Sequence, residues 1–216
     1  MLSILFIISE DWYFVSHRLF LAKAAIMSGN KVVLLSHFTK HRDIIEAEGI
    51  KTIDWPLDRS SKNPFKEIDA LKKVFSTIRK LQPSIIYSVG MKPVLYSAIA
   101  SVFAGFKKNI FALAGLGYVF TSNNKSAKLL RPLLEGVFKL IFRGKKKRLI
   151  LQNPEDKNAL LSANVINPDN VRLIRGAGVD TQFFNVKPLP SLPPIITLPS
   201  RMLWAKGIQD FIVCAK

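Results

Sequence analysis

The chain has 216 residues, of which 49% are hydrophobic and 22% charged, so it can fold around a core and is not a disordered protein. Its formal net charge of +17 favours a polyanionic partner, such as anionic lipid, phosphorylated ligands or nucleic acid. The single cysteine, Cys214, excludes a disulfide within the chain and favours a reducing compartment.

The apolar N-terminus, MLSILFIISED, indicates a buried strand rather than a signal peptide. No Lys or Arg precedes the apolar run, and no small-residue cleavage site follows it. The longest uncharged stretch, from Pro93 to Phe106, is too short to span a bilayer as a helix. We therefore expect a protein that is soluble or peripheral on a membrane.

Strands and helices alternate along the chain. Continuous apolar runs predict strands at residues 2–9, 31–37, 51–57, 83–90, 108–115, 146–152 and 171–176. Apolar residues three and four apart, with Asn, Pro and Gly at the ends, predict helices at residues 16–28, 41–49, 63–81, 93–105 and 126–144, and a helix that starts at 153–156. Buried strands that alternate with helices predict an α/β fold, with a doubly wound parallel sheet of the Rossmann-like kind.

A change in composition predicts a domain boundary. Residues 184–194 read FNVKPLPSLPP, and these four prolines favour a stiff, extended linker. We therefore assign residues 1–183 to a first domain and residues 195–216 to the start of a second. That second domain is predicted to open with a strand from Ile195 to Arg201, a basic loop and a helix.

Candidate site residues follow the predicted strands, where ligands of open parallel sheets bind. They are His17, Lys92, Gly115, Gly117 and Asn153. His17 is the candidate catalytic residue, because an imidazole at a strand-to-helix connection can contact an acceptor hydroxyl or a phosphate. The alternative is a histidine that only caps its helix or pairs with Glu10.

The pair Gly115 and Gly117 is not a dinucleotide-binding fingerprint, because Phe120 occupies the position of the third glycine. The two glycines either allow the backbone to approach a ligand or form a plain tight turn. Arg201 and Lys206 lie five residues apart, in a loop that can bring two cations and a helix N-terminus onto one diphosphate. The alternative for this pair is that both side chains are simply solvated.

A basic, apolar segment favours an anionic membrane surface. Lys128, Arg131, Lys139 and Arg143 recur along a predicted helix that is otherwise rich in Leu, Val, Ile and Phe. An ordinary core helix with a solvated face is the alternative. The sequence has no metal-ligand cluster, no nucleophile triad and no motif for binding nucleic acid.

The run VRLIRGAGVDTQFF, the linker and IITLPSRMLWAKGIQDFI together resemble the domain junction of the retaining glycosyltransferases of family four, which have the GT-B fold. The matching positions are Gly176, Gly178, Val179, Asp180, Arg201, Lys206 and Gly207. Ser200 departs from the family pattern, which has a glycine there. The N-terminal segment, FALAGLGYVFT and LILQNPED resemble the subgroup that builds capsular and lipopolysaccharide sugars.

The resemblance implies transfer of a sugar from a nucleotide-activated donor to an acceptor, often lipid-linked, without a metal or other cofactor. Arg201 and Lys206 would hold the departing diphosphate. The first domain would be the acceptor side, with His17, Lys92, Gly115 and Gly117 near the acceptor. The expected location is cytoplasmic, peripheral on the inner face of a bacterial membrane.

The family's second domain carries a Glu-x7-Glu pair that has no counterpart before Lys216. We therefore expect a chain cut off early in that domain and inactive alone, unless a second chain supplies the rest. A non-catalytic domain that binds a membrane or a partner is the alternative. A nucleotide-sugar epimerase of similar fold is a further, weaker alternative.

Overall fold

The computed structural model describes residues 1–58, 63–116, 125–142, 146–186, 188, 193, 195–200, 202 and 206–215. For residues 125–130, 133 and 134 it describes the backbone alone. The chain divides into two compact units, Met1–Gly178 and Val179–Lys216.

The first unit is built on one seven-stranded sheet. Its strands are β1 Ser3–Glu10, β2 Lys31–His37, β3 Lys51–Asp54, β4 Ile85–Val89, β5 Asn109–Leu113, β6 Lys147–Leu151 and β7 Val171–Leu173. They pair in the order β3-β2-β1-β4-β5-β6-β7, and every pair is parallel. The strand order reverses beside β1, so the predicted doubly wound sheet is confirmed.

The helices of this unit connect the strands. They are α1 Asp11–His17, α2 Leu19–Met27, α3 Arg42–Ala47, α4 Pro64–Leu81, α5 Met91–Phe103, α6 Lys125–Phe142 and α7 Pro154–Ser162, with a 3-10 turn at Pro168–Asn170. Two starts follow from Asn-Pro pairs, as predicted. The Asn63 side chain accepts from Phe65 N at 3.0 Å, and the Asn153 side chain accepts from Asp156 N at 2.7 Å.

The single helix predicted over residues 16–28 is wrong, because the segment contains two helices that break at Arg18. Arg18 has φ −134° and ψ −12°, and its Nη1 donates to the His17 carbonyl at 2.8 Å. Helix α1 starts at Asp11, within an aromatic stretch where only Phe14 and Asp11 are buried. Such a short helix has too few apolar repeats to show a helical period.

The two faces of the sheet are covered by different helices. Leu5, Ile86, Phe111 and Leu149 point to one face, where α4–α7 bury each of them to 0% exposure. Phe6, Ile8, Leu34 and Tyr87 point to the other face, where they pack with Phe14 of α1, Ala22 of α2 and Ile45 of α3. This division follows from right-handed crossovers, because connections that run in opposite directions along the sheet place their helices on opposite faces.

The second unit contains helix α8 Ile208–Cys214, which follows Gly207 in the left-handed conformation at φ +72°. Residues 195–200, predicted as a strand, lie in no helix or strand. A strand is defined by backbone hydrogen bonds to a neighbouring strand, and this segment has no such neighbour among the described residues. None of the described helices, in either unit, is long and apolar enough to cross a membrane.

We predict that Phe138→Ala lowers the free energy of unfolding by about 3–5 kcal/mol. Phe138 on α6 is 0% exposed, and its ring centroid lies 5.3 Å from that of Phe142. Leu140→Ala is the matched control in the same helix, because Leu140 is 70% exposed and its loss should change stability by less than about 0.5 kcal/mol. Urea unfolding measures both, and equal effects would contradict the packing of this helix.

Candidate active site at the carboxyl edge of the sheet

The carboxyl ends of all seven strands lie at one edge of the sheet, because the strands are parallel. This edge carries three of the predicted site residues. Lys92 lies in the first turn of α5 after β4, Gly115 lies two residues after β5, and Asn153 lies two residues after β6. Gly117, the fourth predicted residue of this group, lies outside the described residues.

His17 closes helix α1 instead of lying in the strand-to-helix connection itself. Its exposed ring stacks on Tyr13, with the ring centroids 4.3 Å apart and an interplanar angle of 7°. The Ser16 hydroxyl lies 2.6 Å from Nδ1. The ring is therefore held by Tyr13 and Ser16, and its catalytic role stays a prediction.

Lys92 forms a half-buried ion pair. Its Nζ lies 2.8 Å from Glu67 Oε1 and donates to the Asp58 carbonyl at 3.2 Å. These contacts join α5 to α4 and to the segment after β3. The positive charge of Lys92 is thus balanced within the unit, and its side chain joins α4 and α5 at the edge. Its contact with an acceptor stays a prediction.

Asp156, in the first turn of α7, organises the loop after β5. Its Oδ2 accepts from Leu116 N at 3.2 Å and from Asn153 Nδ2 at 2.9 Å. A Cβ added at Gly115 would lie 3.9 Å from this oxygen, an ordinary contact. The described neighbours therefore leave room for a side chain at Gly115. The same space allows a ligand to approach the Gly115 backbone closely.

Asp11 is the functional-site residue that the sequence analysis missed, since nothing in the pattern shows what an acid after a strand will contact. Its carboxylate is fully buried. Oδ2 accepts from the backbone N–H groups of Thr39, Lys40 and His41 at 2.7, 3.1 and 3.0 Å. Oδ1 accepts from Trp12 N at 2.8 Å and from the Thr39 hydroxyl at 2.9 Å.

These hydrogen bonds determine the charge of Asp11. Burial alone would raise its pKa, but the N–H groups of His41 and Thr39, with the Thr39 hydroxyl, outweigh burial and lower the pKa to about 2. Asp11 is therefore ionised at neutral pH. It ties the loop after β2 to the start of α1 and so fixes Trp12 and Tyr13 at the carboxyl edge.

Helices α5 and α7 are among those whose N-termini lie at this edge. Gly90, with φ +94°, makes the tight turn from β4 into α5, and its N–H donates to the Ala112 carbonyl at 2.9 Å. Helix α7 starts at the same edge after Asn153. Helix N-termini favour hydroxyl and anionic groups. Among the described residues, no group of three His, Cys, Asp or Glu is placed to bind a metal ion.

The predicted membrane-facing cations are described only in part. Lys139 is exposed on α6, whereas Arg131 is half-buried. Phe138 and Phe142 lie seven and eleven residues after Arg131, hence on nearly the same face of the helix, and both are buried. For Lys128 only the backbone position on α6 is described, and Arg143 lies outside the described residues.

The predicted diphosphate-binding pair lies in the second unit. Lys206 is exposed and directly precedes Gly207 and α8. Arg201 lies outside the described residues, so the convergence of the two cations stays a prediction.

Comparison with known proteins relates the chain to enzymes of sugar chemistry. Residues 3–153 match the model of the glycosyl transferase 4-like family. The chain is also 22% identical over 177 residues to the N,N'-diacetylbacillosaminyl-diphospho-undecaprenol alpha-1,3-N-acetylgalactosaminyltransferase of Campylobacter jejuni. That alignment covers 76% of this chain and 46% of the relative.

Two solved structures share the fold. A glycosyltransferase from Rickettsia africae aligns with a TM-score of 0.64 and 22% identity, over 95% of this chain and 54% of that one. A UDP-N-acetylglucosamine 2-epimerase aligns with a TM-score of 0.61 and 14% identity, over 89% of this chain and 53% of that one. The chain thus spans about half the length of these proteins.

We predict that Asp11→Asn lowers the free energy of unfolding by roughly 2–3 kcal/mol at pH 7, because the folded pKa lies well below its value of about 3.9 in an unfolded chain. An acid whose pKa is lowered stabilises the fold above pH 4 and loses that contribution as the pH falls toward 2. The difference in the free energy of unfolding between wild type and Asp11→Asn should therefore become smaller as the pH falls from 4 toward 2.

Urea unfolding at pH 7, 4 and 3 measures this difference in the free energy of unfolding. Asp43→Asn, at an exposed carboxylate in the nearby helix α3, is the control and should change stability by less than about 0.5 kcal/mol. A difference for Asp11→Asn that stays constant with pH would contradict the ionised, hydrogen-bonded state of this carboxylate.

Proposed function

The chain belongs to the glycosyl transferase 4-like family, and we propose that it provides the acceptor side of a glycosyltransferase. The donor is a nucleotide sugar, and the acceptor is a saccharide linked to a lipid diphosphate. The enzyme acts in the synthesis of a bacterial capsule, lipopolysaccharide or related envelope polysaccharide.

One observation carries this proposal. The family match extends from residue 3 to residue 153, and so includes β1 to β6 and the loops of the carboxyl edge as far as Asn153. The relative from Campylobacter jejuni supports the acceptor class, because its name describes transfer to a diphospho-undecaprenol-linked saccharide.

In the proposed reaction, the bond between the anomeric carbon and the donor diphosphate breaks while a bond to an acceptor hydroxyl forms, with retention of configuration. Arg201 and Lys206 stabilise the charge that develops on the leaving diphosphate, which replaces a metal ion in this role. His17 and the loop at Gly115 and Gly117 lie on the acceptor side. The acceptor proton passes to the leaving phosphate or to a nearby base.

The acceptor class also suggests a location. A lipid-linked acceptor requires the enzyme to reach a membrane, and the net charge of +17 favours binding to anionic lipid. We place the protein in the cytoplasm, peripheral on the inner face of the membrane, with the α6 cations Lys128 and Lys139, and Arg143 after them, toward the lipid. Arg131 is left out of this surface, because it shares a helix face with the buried Phe138 and Phe142.

An epimerase acting on nucleotide sugars is the second candidate, because the fold aligns with a UDP-N-acetylglucosamine 2-epimerase at a TM-score of 0.61. The family match favours transfer over epimerisation, since it covers 151 of the 216 residues. A remnant that binds a membrane without catalysis is the third candidate and predicts no turnover of any nucleotide sugar.

We predict that the protein, purified as its own cell produces it, releases nucleoside diphosphate from a nucleotide sugar only when a lipid-linked acceptor is present. Arg201→Ala and Lys206→Ala should each lower kcat by on the order of 100-fold, because each removes a cation that stabilises the leaving group. Coupled detection of released nucleoside diphosphate, across a panel of donors, measures this rate.

Lys108→Ala is the control, because Lys108 is exposed and directly precedes β5, at the amino edge of the sheet. Its turnover should equal that of the wild type. Unchanged turnover in both the Arg201 and Lys206 variants would remove these residues from the mechanism. Conversion of donor to its epimer without acceptor would instead establish the second candidate.

We predict that the protein floats with vesicles containing anionic phospholipid at low salt and not with neutral vesicles. Each basic residue near such a surface contributes about 1 kcal/mol. Lys128→Glu with Lys139→Glu should therefore reduce flotation strongly, whereas Lys108→Glu should not. Equal flotation of both variants would show that α6 is not the membrane-facing element.

A further inference from the structure

A basic pocket lies between β3, an edge strand of the sheet, and the second half of α4. Its volume is about 380 Å³, and we call it the β3–α4 pocket. Strand β3 contributes Lys51 and Ile53 to its lining, and helix α4 contributes Lys73, Ser76, Thr77, Lys80 and Leu81.

Both elements that form this pocket are described from end to end. Lys51 is the first residue of β3, so the pocket lies at the amino edge of the sheet, away from the candidate active site. Residues 59–62 precede the other end of α4, and Lys73 lies nine residues into this helix, about 14 Å along its axis. Residues 117–124 follow β5, which lies four strands from β3, or about 19 Å across the sheet.

The periods of a helix and a strand explain why these side chains meet. Lys73, Thr77 and Lys80 are four and three residues apart and therefore lie on one side of α4. Lys51 and Ile53 are alternate residues of β3 and point to the same face of the sheet. That face is the one that α4 covers, because Ile53 packs against the same core cluster as Val74.

Three ammonium groups thus line one cavity. Lys73 is half-buried, whereas Lys51 and Lys80 are exposed. None of the three forms an ion pair within the described part of the chain, and no Asp or Glu is among the described residues that line the pocket. The C-terminus of α4 accounts for a cation at Lys80, in the last turn, but not for Lys51 or Lys73.

The acidic residues of β3 and α4 have other partners. Asp54 pairs with Arg42, Glu67 with Lys92, and Asp69 with Lys72. The charge of the pocket is therefore not balanced by the two elements that form it, and an anion in the cavity is attracted by all three lysines.

Thr77 adds a buried hydroxyl to the pocket. The residue is 5% exposed, and its hydroxyl forms no hydrogen bond with a described residue. Buried hydroxyls in proteins usually have a partner. The neighbouring Ser76 hydroxyl does have one, since it donates to the Lys73 carbonyl at 3.0 Å. The Thr77 hydroxyl is thus free to donate to an anion.

We propose that the β3–α4 pocket binds a phosphate monoester, with the three lysine amines and the Thr77 hydroxyl as donors. A phosphate monoester carries a charge of about −1.5 to −2 at pH 7 and three acceptor oxygens, so it balances three cations better than a single carboxylate does. The volume lies in the range of roughly 300–1,000 Å³ that small-molecule sites occupy. Ile53 and Leu81 provide apolar contact for the group that carries the phosphate.

This site is separate from the proposed sugar transfer, because it lies at the amino edge and shares no residue with the candidate active site. Two sources present the same chemistry. One is a soluble phosphorylated molecule, and the other is a lipid with a phosphate monoester headgroup, as in phosphatidic acid. The same donors recognise both.

Calorimetric titration of the full chain with glycerol 3-phosphate, at about 150 mM salt, tests the soluble source. Lys73→Gln with Lys80→Gln should weaken binding on the order of 10-fold to 100-fold, as loss of charge-assisted hydrogen bonds does. Lys72→Gln with Arg79→Gln is the matched control, because it removes two charges from adjacent positions of α4 that do not line the pocket. Its effect should stay below about 2-fold, since exposed charges are screened at this salt.

Thr77→Val tests the hydroxyl separately from charge. The two side chains have nearly the same shape, so the variant should bind glycerol 3-phosphate roughly 3-fold to 10-fold more weakly. Its urea midpoint should not fall, because the hydroxyl that is lost forms no hydrogen bond with a described residue.

Flotation with phosphatidylcholine vesicles that contain phosphatidic acid, at the same salt, tests the lipid source. Loss of flotation in the Lys73 and Lys80 double variant, but not in its control, supports the site with a lipid ligand even if glycerol 3-phosphate does not bind. The proposal is overturned if neither probe binds, or if the variant and its control lose binding equally. Sugar transfer tests the proposed function alone, so its absence would leave this site standing.

Discussion

The handedness of the connections between parallel strands is the constraint on which the rest of this structure depends. Right-handed crossovers that run first from β1 to β3 and then from β4 to β7 must place their helices on opposite faces. The same reversal places a crevice beside β1 at the carboxyl edge. The candidate active site therefore follows from the same constraint as the fold.

The seven-strand architecture could be predicted because buried parallel strands are continuous apolar runs, and the Asn-Pro pairs at Asn63 and Asn153 mark helix starts by local hydrogen bonds. The break at Arg18 could not be predicted. It depends on where a charged side chain is buried, and no local pattern contains that information. Residues 195–200 show the same limit, since strand pairing depends on residues distant in sequence.

The candidate site was predictable in position but not in chemistry. The rule that ligands bind where strands end located Lys92, Gly115 and Asn153 correctly at one edge. Their partners are contacts over long sequence separations, such as Lys92 with Glu67 and Leu116 with Asp156. Asp11 shows this most clearly. Its buried carboxylate accepts five hydrogen bonds, and four of them come from a loop about 30 residues away. These bonds hold that loop at the carboxyl edge.

The central claim is that this fold serves sugar transfer to a lipid-linked acceptor. The most direct measurement follows a labelled sugar from a panel of nucleotide donors, with membranes of the source organism as the acceptor and the protein as its own cell produces it. The account predicts that label moves into lipid extractable with organic solvent, in a linkage that keeps the donor's anomeric configuration. Label that remains water-soluble with every donor, either unchanged or as an epimer, would contradict it.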